Sequence, residues 1–476
     1  MSQTHYQNYI AGEFRGTTDA IEVRNPATDE VVAEVPRATE QDIDDAVAAA
    51  KAAKKQWALT PAPERASYLT KIATGIRENE ALLTDIIVRE QSKVRALASV
   101  EVNFTADYLD YMASFALHLE GEVLNSARPK EQIFLLRKPL GVAAGILPWN
   151  FPFFLIARKM APALVTGNTC VIKPASATPI NAMEFARIAS QVGLPDGVFS
   201  LLSGPGNIGG YLAGHSDIDI VSFTGSVEVG QKIMSAASRN ITKVSLELGG
   251  KAPAIVLDDA DLDLAVGAIK ASRVINSGQV CNCAERVYVT RGIADEFISK
   301  MTEAMAATRY GDPSIETDLE MGALIDRSAV ERIAGMVDAA VSAGATATTG
   351  GRVADRDRGS FYEPTVLADV TPEMSVVRDE IFGPVLPIMV GDDFDEAIEQ
   401  ANDSEYGLTS SLYTTSLANA MRGMREIDFG ETYINRENFE AMQGFHAGTR
   451  KSGVGGADGR HGVEEFTRTQ MVYIES

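Results

Sequence analysis

Short apolar runs alternate with helical patterns between residues 142 and 248. The runs are apolar at nearly every position, which is typical of strands buried on both faces of a parallel sheet. A segment with apolar residues at helical spacing follows each of the first four runs, so we predict a doubly wound α/β domain. Such domains bind nucleotides beyond the carboxyl ends of their strands. The predicted strands are 142–147, 169–173, 199–202, 220–223 and 244–248, and the predicted helices are 153–166, 180–192, 207–214 and 227–239.

A second α/β series follows the first, and a helical region precedes it. Thr39 and Asp42 have the spacing of a helix-capping pair in front of an apolar helical face. The tail beyond residue 440 is rich in glycine and ends in an apolar strand at 471–474. We therefore predict an α/β fold with two doubly wound parallel-sheet domains. The other predicted elements are a strand pair near 9–10 and 13–14, helices from about 63, over 98–118, over 262–276 and over 294–308, and a strand at 286–289.

Composition places the chain among ordinary globular proteins. Its 476 residues suffice for two or three domains, with 45% apolar and 23% charged residues. The formal net charge is −22, and so acidic a chain repels phosphate backbones and anionic lipid. We therefore expect neither nucleic acid nor a membrane surface as a partner.

The distribution of cysteine and histidine argues against a disulfide framework and a metal centre. Of three cysteines, Cys281 and Cys283 are too close in sequence for an ordinary bridge, which fits a reducing compartment. No H-E-x-x-H or C-x-x-C motif is present, so we expect no metal. The polar residues 1–5 do not resemble a secretion signal, and prolines interrupt the longest uncharged run, 139–157. A cytoplasmic protein is expected.

Two glycine-containing turns are candidate phosphate-binding sites. Residues 204–209 match G-x-G-x-x-G between a predicted strand and helix. They follow the third strand of their series, however, and no acidic residue stands at the offset that would bind a ribose. The next turn carries Gly225 and Ser226 at a predicted helix N-terminus, where free N–H groups attract phosphate. Glycine is common in all such turns, so the residues alone leave both readings open.

The candidate chemistry centres on a thiol and a carboxylate. Cys281 stands in a polar, glycine-containing turn, where a thiol can be exposed and reactive, and Cys283 is its rival. Cys170 lies within an apolar strand and is interpreted as a core residue. Glu247 ends an apolar strand and precedes two glycines, so it either faces the crevice or serves as an ion-paired cap.

Six short motifs occur in an order that is more informative than any one of them. They are residues 147–152 (LPWNFP), 173–174 (KP), 223–226 (FTGS), 247–251 (ELGGK), 278–281 (GQVC) and 380–384 (EIFGP). This series resembles the aldehyde dehydrogenase superfamily, and the resemblance covers essentially the whole chain. Within it, residues 153–160, 280–286 and 433–446 resemble the bacterial lactaldehyde/glycolaldehyde dehydrogenase group.

The resemblance implies that an aldehyde is oxidised to its carboxylic acid through a cysteine. A thiolate adds to the carbonyl, the thiohemiacetal passes hydride to NAD or NADP, and water hydrolyses the resulting thioester. Cys281 would be the nucleophile. Its backbone N–H and the side-chain amide of Asn150 would stabilise the oxyanion. Glu247 would be the general base for the hydrolytic water, and a candidate base for the thiol.

The same resemblance implies which residues hold the cofactor. Many NAD-preferring members carry a glutamate three residues after the position of Lys173, and this chain has Ser176 there. Since the carboxylate that would repel a 2′-phosphate is absent, we expect NADP to be tolerated beside NAD. The implied cofactor-binding residues are Leu147, Pro148, Trp149, Lys173, Ser176, Gly225, Ser226, Leu248, Glu380 and Phe382.

For the substrate, the resemblance implies a polar pocket for a small hydroxyaldehyde. In succinic semialdehyde dehydrogenases, an arginine at the place of Arg158 binds the substrate carboxylate, for which a guanidinium is well suited. A carboxylate-bearing aldehyde is therefore the alternative substrate. The implied substrate-binding residues are Arg158, Asn282, Glu440 and His446.

We expect three structural parts. Residues 1–117 and 138–249 would form the cofactor domain and 250–440 the catalytic domain, while 118–137 and 441–476 would supply an oligomerisation element and the tail. An apolar edge strand favours aggregation unless a partner covers it, so we expect a homodimer or homotetramer. A non-catalytic structural relative is the alternative from another class, but it would be expected to lack the cysteine or the glutamate, and both are present.

Overall fold

The computed structural model describes residues 6–476, in which helices and strands alternate along most of the chain. The prediction that no secretion signal is present concerns residues 1–5, which lie outside the described residues. The strands are β1 (Asn8–Ile10), β2 (Glu13–Arg15), β3 (Ala20–Arg24), β4 (Val31–Pro36), β5 (Glu122–Leu124), β6 (Glu131–Pro139), β7 (Val142–Ile146), β8 (Thr169–Lys173), β9 (Phe199–Leu201), β10 (Ile220–Thr224), β11 (Lys243–Glu247), β12 (Ala252–Val256), β13 (Ala284–Thr290), β14 (Thr346–Thr349), β15 (Thr365–Ala368), β16 (Val385–Gly391), β17 (Thr409–Tyr413), β18 (Glu431–Ile434), β19 (Gly453–Val454) and β20 (Thr467–Glu475). The helices are α1 (Glu40–Leu59), α2 (Ala62–Glu78), α3 (Glu80–Gln91), α4 (Arg95–Ser114), α5 (Phe154–Thr166), α6 (Ile180–Gln191), α7 (Gly206–Ala213), α8 (Val227–Ser238), α9 (Leu262–Val274), α10 (Ala294–Ala306), α11 (Arg327–Ser342), α12 (Ser375–Arg378), α13 (Phe394–Asn402), α14 (Leu417–Glu426) and α15 (Gly459–Glu465).

The first large sheet has its strands in the order β19-β11-β10-β7-β8-β9-β1-β2. Its five central strands are parallel, and the edge strands run antiparallel to their neighbours. The chain moves outward from β7 through β8 and β9, then returns to the other side of β7 with β10. This reversal creates a crevice beyond the carboxyl ends of β7 and β10. It places the loops after these two strands where a nucleotide would bind.

The second large sheet has the order β14-β15-β16-β13-β12-β17-β18, parallel except for β14. The predicted α/β fold with two doubly wound, mainly parallel sheets is therefore confirmed. The antiparallel edges were not predicted as parts of these sheets. The strand pair predicted near 9–10 and 13–14 is present as β1 and β2, whereas β19 has only two residues, too few for a periodic pattern.

Two smaller sheets complete the structure. The tail strand β20 pairs with β6 over nine residues, and β5 adds a third strand. Large apolar side chains remain exposed along this sheet: Tyr473 is 62% and Val123 is 76% exposed. Strands β3 and β4 form a separate hairpin that was not predicted, although Ala33 and Val35 alternate with a more exposed residue.

Local signals place several helix boundaries. Thr39 caps α1 by accepting from the Asp42 N–H at 3.2 Å, while the Asp42 carboxylate accepts from the Thr39 N–H at 2.7 Å, as predicted. The pattern predicted as one helix from about 63 forms two, α2 and α3, which divide at Asn79. None of α1–α15 combines the length and apolar character that crossing a bilayer requires. Residues 6–476 contain no group of three or more His, Cys, Asp or Glu arranged to hold a metal ion.

Candidate active site

The loop that carries Cys281 is shaped by unusual backbone conformations between α9 and β13. Asn276, Ser277 and Gly278 have φ values of +48°, +59° and +75° in succession. The left-handed region is rare for residues other than glycine and is found where surrounding contacts impose it. Here Asn276 Oδ1 accepts from Gln91 Nε2 at 2.9 Å, and Ser277 Oγ donates to the Gly322 carbonyl at 2.9 Å. The strained turn is thus fixed before the chain reaches the thiol.

The three cysteines differ in accessibility. Cys281 is half-buried and lines a cavity, whereas Cys170 and Cys283 are buried. The Cys283 thiol donates to the Val280 carbonyl at 2.9 Å, and burial raises its pKa to about 12 although Arg273 opposes the shift. Burial also raises the pKa of Cys170. Of the three thiols, Cys281 is therefore the one available to a substrate.

Asn150 lies directly against the Cys281 loop. Its side-chain Nδ2 donates to the Gln279 carbonyl at 3.0 Å, two residues before the thiol. The backbone carbonyl of Asn150 accepts from Lys93 Nζ at 2.7 Å and from Asn276 Nδ2 at 3.0 Å. One N–H of the amide remains after the bond to Gln279. These contacts join the loop after β7, in the first sheet, to the cysteine loop of the second.

Glu247 ends β11 and is held by two cations and a hydroxyl. Its carboxylate lies 3.0 Å from Lys159 Nζ and 3.9 Å from Arg158 Nη1, and accepts from Thr224 Oγ1 at 2.8 Å. Burial raises its pKa, but Lys159 and Arg158 outweigh burial and lower it to about 2. Glu247 is therefore a carboxylate across the neutral range.

The guanidinium of Arg158 is already paired with carboxylates. Asp458 binds it in a two-pronged contact, with Nε at 3.0 Å from Oδ1 and Nη2 against Oδ2. Nη2 also donates to Glu440 Oε1 at 3.1 Å, while the other Glu440 oxygen accepts from the Asn282 amide. Asp458 holds this position with a φ of +69°, unusual for a residue with a side chain.

His446 is buried behind the thiol. A short antiparallel bridge to Ala457 fixes its backbone, and Nδ1 lies 2.5 Å from Glu431 Oε1. Burial and Arg158 lower the pKa of His446, but the nearby Cys281 and Glu431 outweigh them and raise it well above its ordinary value. His446 therefore favours the imidazolium form.

A cavity of about 310 Å³ leads to Cys281. The substrate pocket was expected to be polar, but its wall is largely apolar and includes four phenylalanines. The reason is that α4, the start of α5 and the segment before Glu440 all turn phenylalanines toward it. The aromatic lining residues are Phe104, Phe151, Phe154 and Phe439. The polar ones at the thiol include Asn150, Arg158, Asn282 and Glu440, whereas Glu247 and His446 are not in the lining.

The crevice of the first sheet contains a buried cation. Lys173 Nζ donates to the Pro174 carbonyl at 2.9 Å, and burial lowers the pKa of Lys173 to about 8. In the described chain no carboxylate forms an ion pair with it. Ser176 follows in an exposed turn. A Cβ at Gly209 would lie 3.2 Å from the Lys173 side chain, so helix α7 of the G-x-G-x-x-G segment borders the same end of the crevice.

The turn at Gly225 and Ser226 opens toward the same crevice. Ser226 caps α8, its hydroxyl accepting from the Val229 N–H at 3.4 Å. A Cβ at Gly230 would lie 2.6 Å from the Leu248 side chain, so the first turn of α8 packs directly on Leu248. Small residues and free helix N–H groups at a strand switch point suit a pyrophosphate. An unpaired buried ammonium nearby suits a ribose hydroxyl or phosphate, so the residues present fit a dinucleotide.

The other end of the crevice is formed by the loop 380–384. Glu380 Oε1 accepts from the Gly250 N–H at 2.8 Å, and burial together with Glu285 raises the pKa of Glu380 to about 7. Phe382 packs edge-on against Trp149, with ring centroids 5.5 Å apart. The preceding Leu147 is tied to the crevice strand, since its N–H donates to the Lys173 carbonyl at 3.0 Å. Pro148, between Leu147 and Trp149, is half-buried.

A model of the aldehyde dehydrogenase family matches residues 14–472. The chain belongs to the aldehyde dehydrogenase family. Lactaldehyde dehydrogenase of Escherichia coli (strain K12) is 56% identical, over 98% of this chain and 98% of its own length. A crystal structure of lactaldehyde dehydrogenase from Escherichia coli matches with a TM-score of 0.98 at 55% identity, covering 100% of both chains. A D-glyceraldehyde dehydrogenase (NADP(+)) of Picrophilus torridus is 38% identical, over 98% of this chain and 96% of its own.

Membership of the aldehyde dehydrogenase family confirms the predicted activity at the level of class. The chain is an oxidoreductase that oxidises an aldehyde with NAD(P). The three residues that the resemblance placed at the reaction, Cys281, Asn150 and Glu247, occupy the junction of the two large sheets, where the loops after β7, β11 and α9 meet.

Several residues at this site were not identified from the sequence. One signal was available: Arg158 and Lys159 interrupt an otherwise apolar helix, and Glu285 and Arg286 interrupt an apolar strand. Charges at core positions demand partners. The others carry no local signal, because their contacts come from distant segments. The missed residues are Lys93, Glu101, Lys159, Thr224, Glu285, Glu431 and Asp458.

Proposed function

We propose that the chain oxidises a small hydroxyaldehyde of the lactaldehyde or glycolaldehyde type to its carboxylic acid. The observation that carries this proposal is that the guanidinium of Arg158 already donates hydrogen bonds to the carboxylates of Asp458 and Glu440. A substrate carboxylate would have to displace one of these two carboxylates from Arg158, and the remaining one would then repel it. A hydroxyl, in contrast, can share the polar contacts of Glu440 and Asn282 without carrying a charge into the pocket. The 56% identity to lactaldehyde dehydrogenase supports the same choice.

In the proposed mechanism, Cys281 attacks the aldehyde carbonyl as a thiolate. The carbonyl oxygen becomes an oxyanion, which the Cys281 backbone N–H and the free N–H of the Asn150 amide stabilise. Because both donors are fixed before the substrate arrives, no rearrangement opposes the charge as it forms. When bound, NAD(P) would supply the hydride acceptor for the thiohemiacetal carbon, and the loss of hydride would leave a thioester on Cys281.

Glu247 is proposed to activate the water that hydrolyses this thioester. Its carboxylate is ionised, as a base requires, but its low pKa makes it a weak base while Lys159 holds it. A base is most effective when its pKa is near the working pH. We therefore infer that Glu247 moves away from Lys159 when it takes a proton from water.

The cofactor is proposed to lie along the crevice of the first sheet. Lys173 would contact the adenosine ribose, the turn at Gly225 and Ser226 with Leu248 the pyrophosphate, and Glu380 the nicotinamide ribose. Leu147, Pro148, Trp149 and Phe382 would enclose the nicotinamide. Because Ser176 carries no negative charge beside Lys173, we propose that NADP is accepted as well as NAD.

We propose that β5, β6 and β20 form an oligomerisation element, supported by their exposed apolar side chains. Residues 118–137 and the tail 441–476 would supply it, beside a cofactor domain of 1–117 and 138–249 and a catalytic domain of 250–440. A homodimer or homotetramer is expected, and light scattering coupled to size exclusion measures its mass. The three free cysteines support a reducing compartment, the cytoplasm in our proposal.

The substrate proposal is tested by measuring kcat/KM for glycolaldehyde, lactaldehyde, propanal and succinic semialdehyde, each with NAD and NADP. We expect both hydroxyaldehydes to exceed propanal and succinic semialdehyde by at least about tenfold, or about 1.4 kcal/mol of transition-state preference. A higher value for succinic semialdehyde would mean that Arg158 releases its carboxylates and binds the substrate instead. Asp458→Asn is the matched variant, since freeing Arg158 should selectively improve succinic semialdehyde.

A further inference from the structure

A buried carboxylate of β13 supports the loop 380–384. Glu285 is only 1% exposed, and each of its two oxygens accepts one backbone N–H of this loop. Oε2 accepts from the Ile381 N–H at 2.9 Å and Oε1 from the Phe382 N–H at 3.1 Å. Phe382 has a φ of +51°, in the left-handed region that is rare for a bulky residue. Successive N–H groups at such a residue form a concave site for an anion, and here the anion belongs to the protein itself.

Two buried cations hold the same carboxylate. Lys251 Nζ and Arg273 Nη1 each lie 2.8 Å from Glu285, and both cationic side chains are fully buried. Burial raises the pKa of Glu285, but Lys251 and Arg273 outweigh burial and lower it. Glu285 is therefore an anion across the neutral range, and it accepts from two cations and two backbone N–H groups at once.

Arg273 extends this network to the cysteine loop. Its Nη2 donates to the Gly278 carbonyl at 2.7 Å and its Nη1 to the Ala284 carbonyl at 2.8 Å, so it binds the chain on either side of the thiol. The cysteine loop and the loop 380–384 are in direct contact, because a Cβ at Gly278 would collide with the Gly383 carbonyl oxygen. The two bonds from Arg273 to carbonyls do not involve Glu285. The cysteine loop therefore keeps its own support when Glu285 is changed.

We propose that Glu285 is a positioning residue, which fixes the shape of the loop 380–384 and thereby the place of the nicotinamide end of the cofactor beside the thiol. The inference rests on the cofactor position of the proposed function, in which Glu380 contacts the nicotinamide ribose and Phe382 the ring. Glu285 acts through the backbone of these residues. Without one of its two N–H contacts, Phe382 loses a bond that holds it in the left-handed conformation, and the loop no longer presents Glu380 at a fixed place.

The test uses Glu285→Gln alone and combined with Lys251→Met. A glutamine has one carbonyl oxygen, whereas the N–H groups of Ile381 and Phe382 point to different oxygens, so one of them loses its acceptor. Lys251→Met removes the cation that the first change would leave without a partner. The double variant also keeps the charges around Glu380 in balance, because Glu285 raises and Lys251 lowers the pKa of Glu380. It therefore removes support from the loop without leaving an additional charge unpaired.

The measurement is the Kd for NADH and for AMP, titrated calorimetrically without aldehyde. Both Glu285 variants should raise the Kd for NADH at least about fivefold, roughly the loss of one hydrogen bond, while the Kd for AMP, which lacks the nicotinamide end, stays unchanged. Hydrolysis of p-nitrophenyl acetate without cofactor requires Cys281 but no hydride acceptor, and should be largely retained. In urea, the double variant should be more stable than Glu285→Gln, so that the loss of NADH affinity does not follow stability. If Glu285→Gln alone does not fold, the double variant decides the test.

Glu90→Gln is the matched control. Glu90 is also buried, and its two oxygens accept from the Ile180 and Asn181 N–H groups at 2.8 and 2.9 Å, at the start of α6. Any effect of this change on the neighbouring adenosine end would reach NADH and AMP alike, so the ratio of the two Kd values should equal that of the parent.

The ratio of the Kd values also defines the results that would overturn the inference. It fails if the double variant retains the parent ratio while Glu380→Ala raises it, or if Glu90→Gln raises the ratio as much as the Glu285 variants do. A different result identifies an error in the proposed function itself. If Glu380→Ala leaves the affinity for NADH unchanged, the proposed cofactor position is wrong, and the role of Glu285 is refuted with it.

Discussion

Replacing Lys93 by methionine should weaken both the fold and the reaction, because one buried ion pair supports the segment that carries Asn150. The side chains of Lys93 and Glu101 are fully buried, with Nζ 2.5 Å from the carboxylate. Lys93 also donates to the Asn150 carbonyl at 2.7 Å. Glu101 accepts from the Phe153 and Phe154 N–H groups at 2.9 and 3.2 Å. The pair therefore holds the whole loop between β7 and α5.

The size of the effect follows from the burial. Removing one partner of a buried pair leaves an uncompensated charge and costs about 3–5 kcal/mol. Lys93→Met should lower the free energy of unfolding by that amount. Adding Glu101→Gln should recover much of the loss, since the amide oxygen still accepts from the two N–H groups and no charge is stranded. Lys232→Met is the control, because Lys232 and its partner Glu228 are both exposed and the expected change is much smaller.

The effect on kcat distinguishes a role of Lys93 in positioning Asn150 from a role in stability alone. Losing one oxyanion donor typically costs about 10²–10³ in kcat, so Asn150→Ala should fall in that range. If Lys93 acts by placing Asn150, the Lys93→Met/Glu101→Gln double variant should lower kcat by at least about tenfold, with little change in cofactor affinity. When Asn150→Ala is already present, Lys93→Met and Glu101→Gln should cause almost no further loss in kcat. A fully multiplicative loss in kcat would refute the reasoning, since Lys93 and Asn150 would then act independently.

Three further predictions concern cofactor choice, acid stability and assembly. Ser176→Glu should lower kcat/KM with NADP more than tenfold while largely sparing NAD, and an equal loss with both would contradict the proposed role. Glu247 has a pKa of about 2 in the fold against 4.5 unfolded, so it stabilises the protein above pH 4.5 and loses this effect as the pH falls toward 2. In urea titrations, Glu247→Gln should therefore reduce the difference in unfolding free energy between pH 6 and pH 3 by about 2 kcal/mol. Tyr473→Glu should reduce the mass measured by light scattering, and an unchanged mass would argue against β20 as an interface.

The sequence pattern predicts the central strands of the first sheet to within one residue because each is an uninterrupted apolar run. Strand 169–173 agrees at both ends. Among the edge strands, the pair β1 and β2 was predicted near 9–10 and 13–14, whereas β19 has two residues and is too short to show a period. The break at Asn79 between α2 and α3 was not predicted either, because the apolar spacing continues across it. Such interruptions depend on packing, which local periodicity does not record.

The site divides in a similar way. Cys281, Asn150 and Glu247 stand in motifs that resemble a known family, whereas their partners come from remote segments. Asp458 lies 300 residues from Arg158 in sequence, and Lys93 lies 57 from Asn150. Arg158 illustrates the consequence. The sequence is equally compatible with an arginine that binds a substrate carboxylate. Only the ion pair with Asp458 shows that the charge of Arg158 is balanced within the protein.

Glu247 and Glu380 show why residue type alone does not determine acid–base behaviour at this site. Both carboxylates face the junction of the two sheets, yet the pKa of Glu247 is about 2 and that of Glu380 about 7. The difference lies in their neighbours: Lys159 and Arg158 stabilise the charge on Glu247, whereas Glu285 repels a charge on Glu380. At neutral pH the first is therefore fixed as an anion, while the second exchanges a proton. It follows that, in the proposed site, a rise in pH through 7 acts mainly on the hydrogen bonds that Glu380 offers to the cofactor ribose, and leaves the charge of Glu247 unchanged.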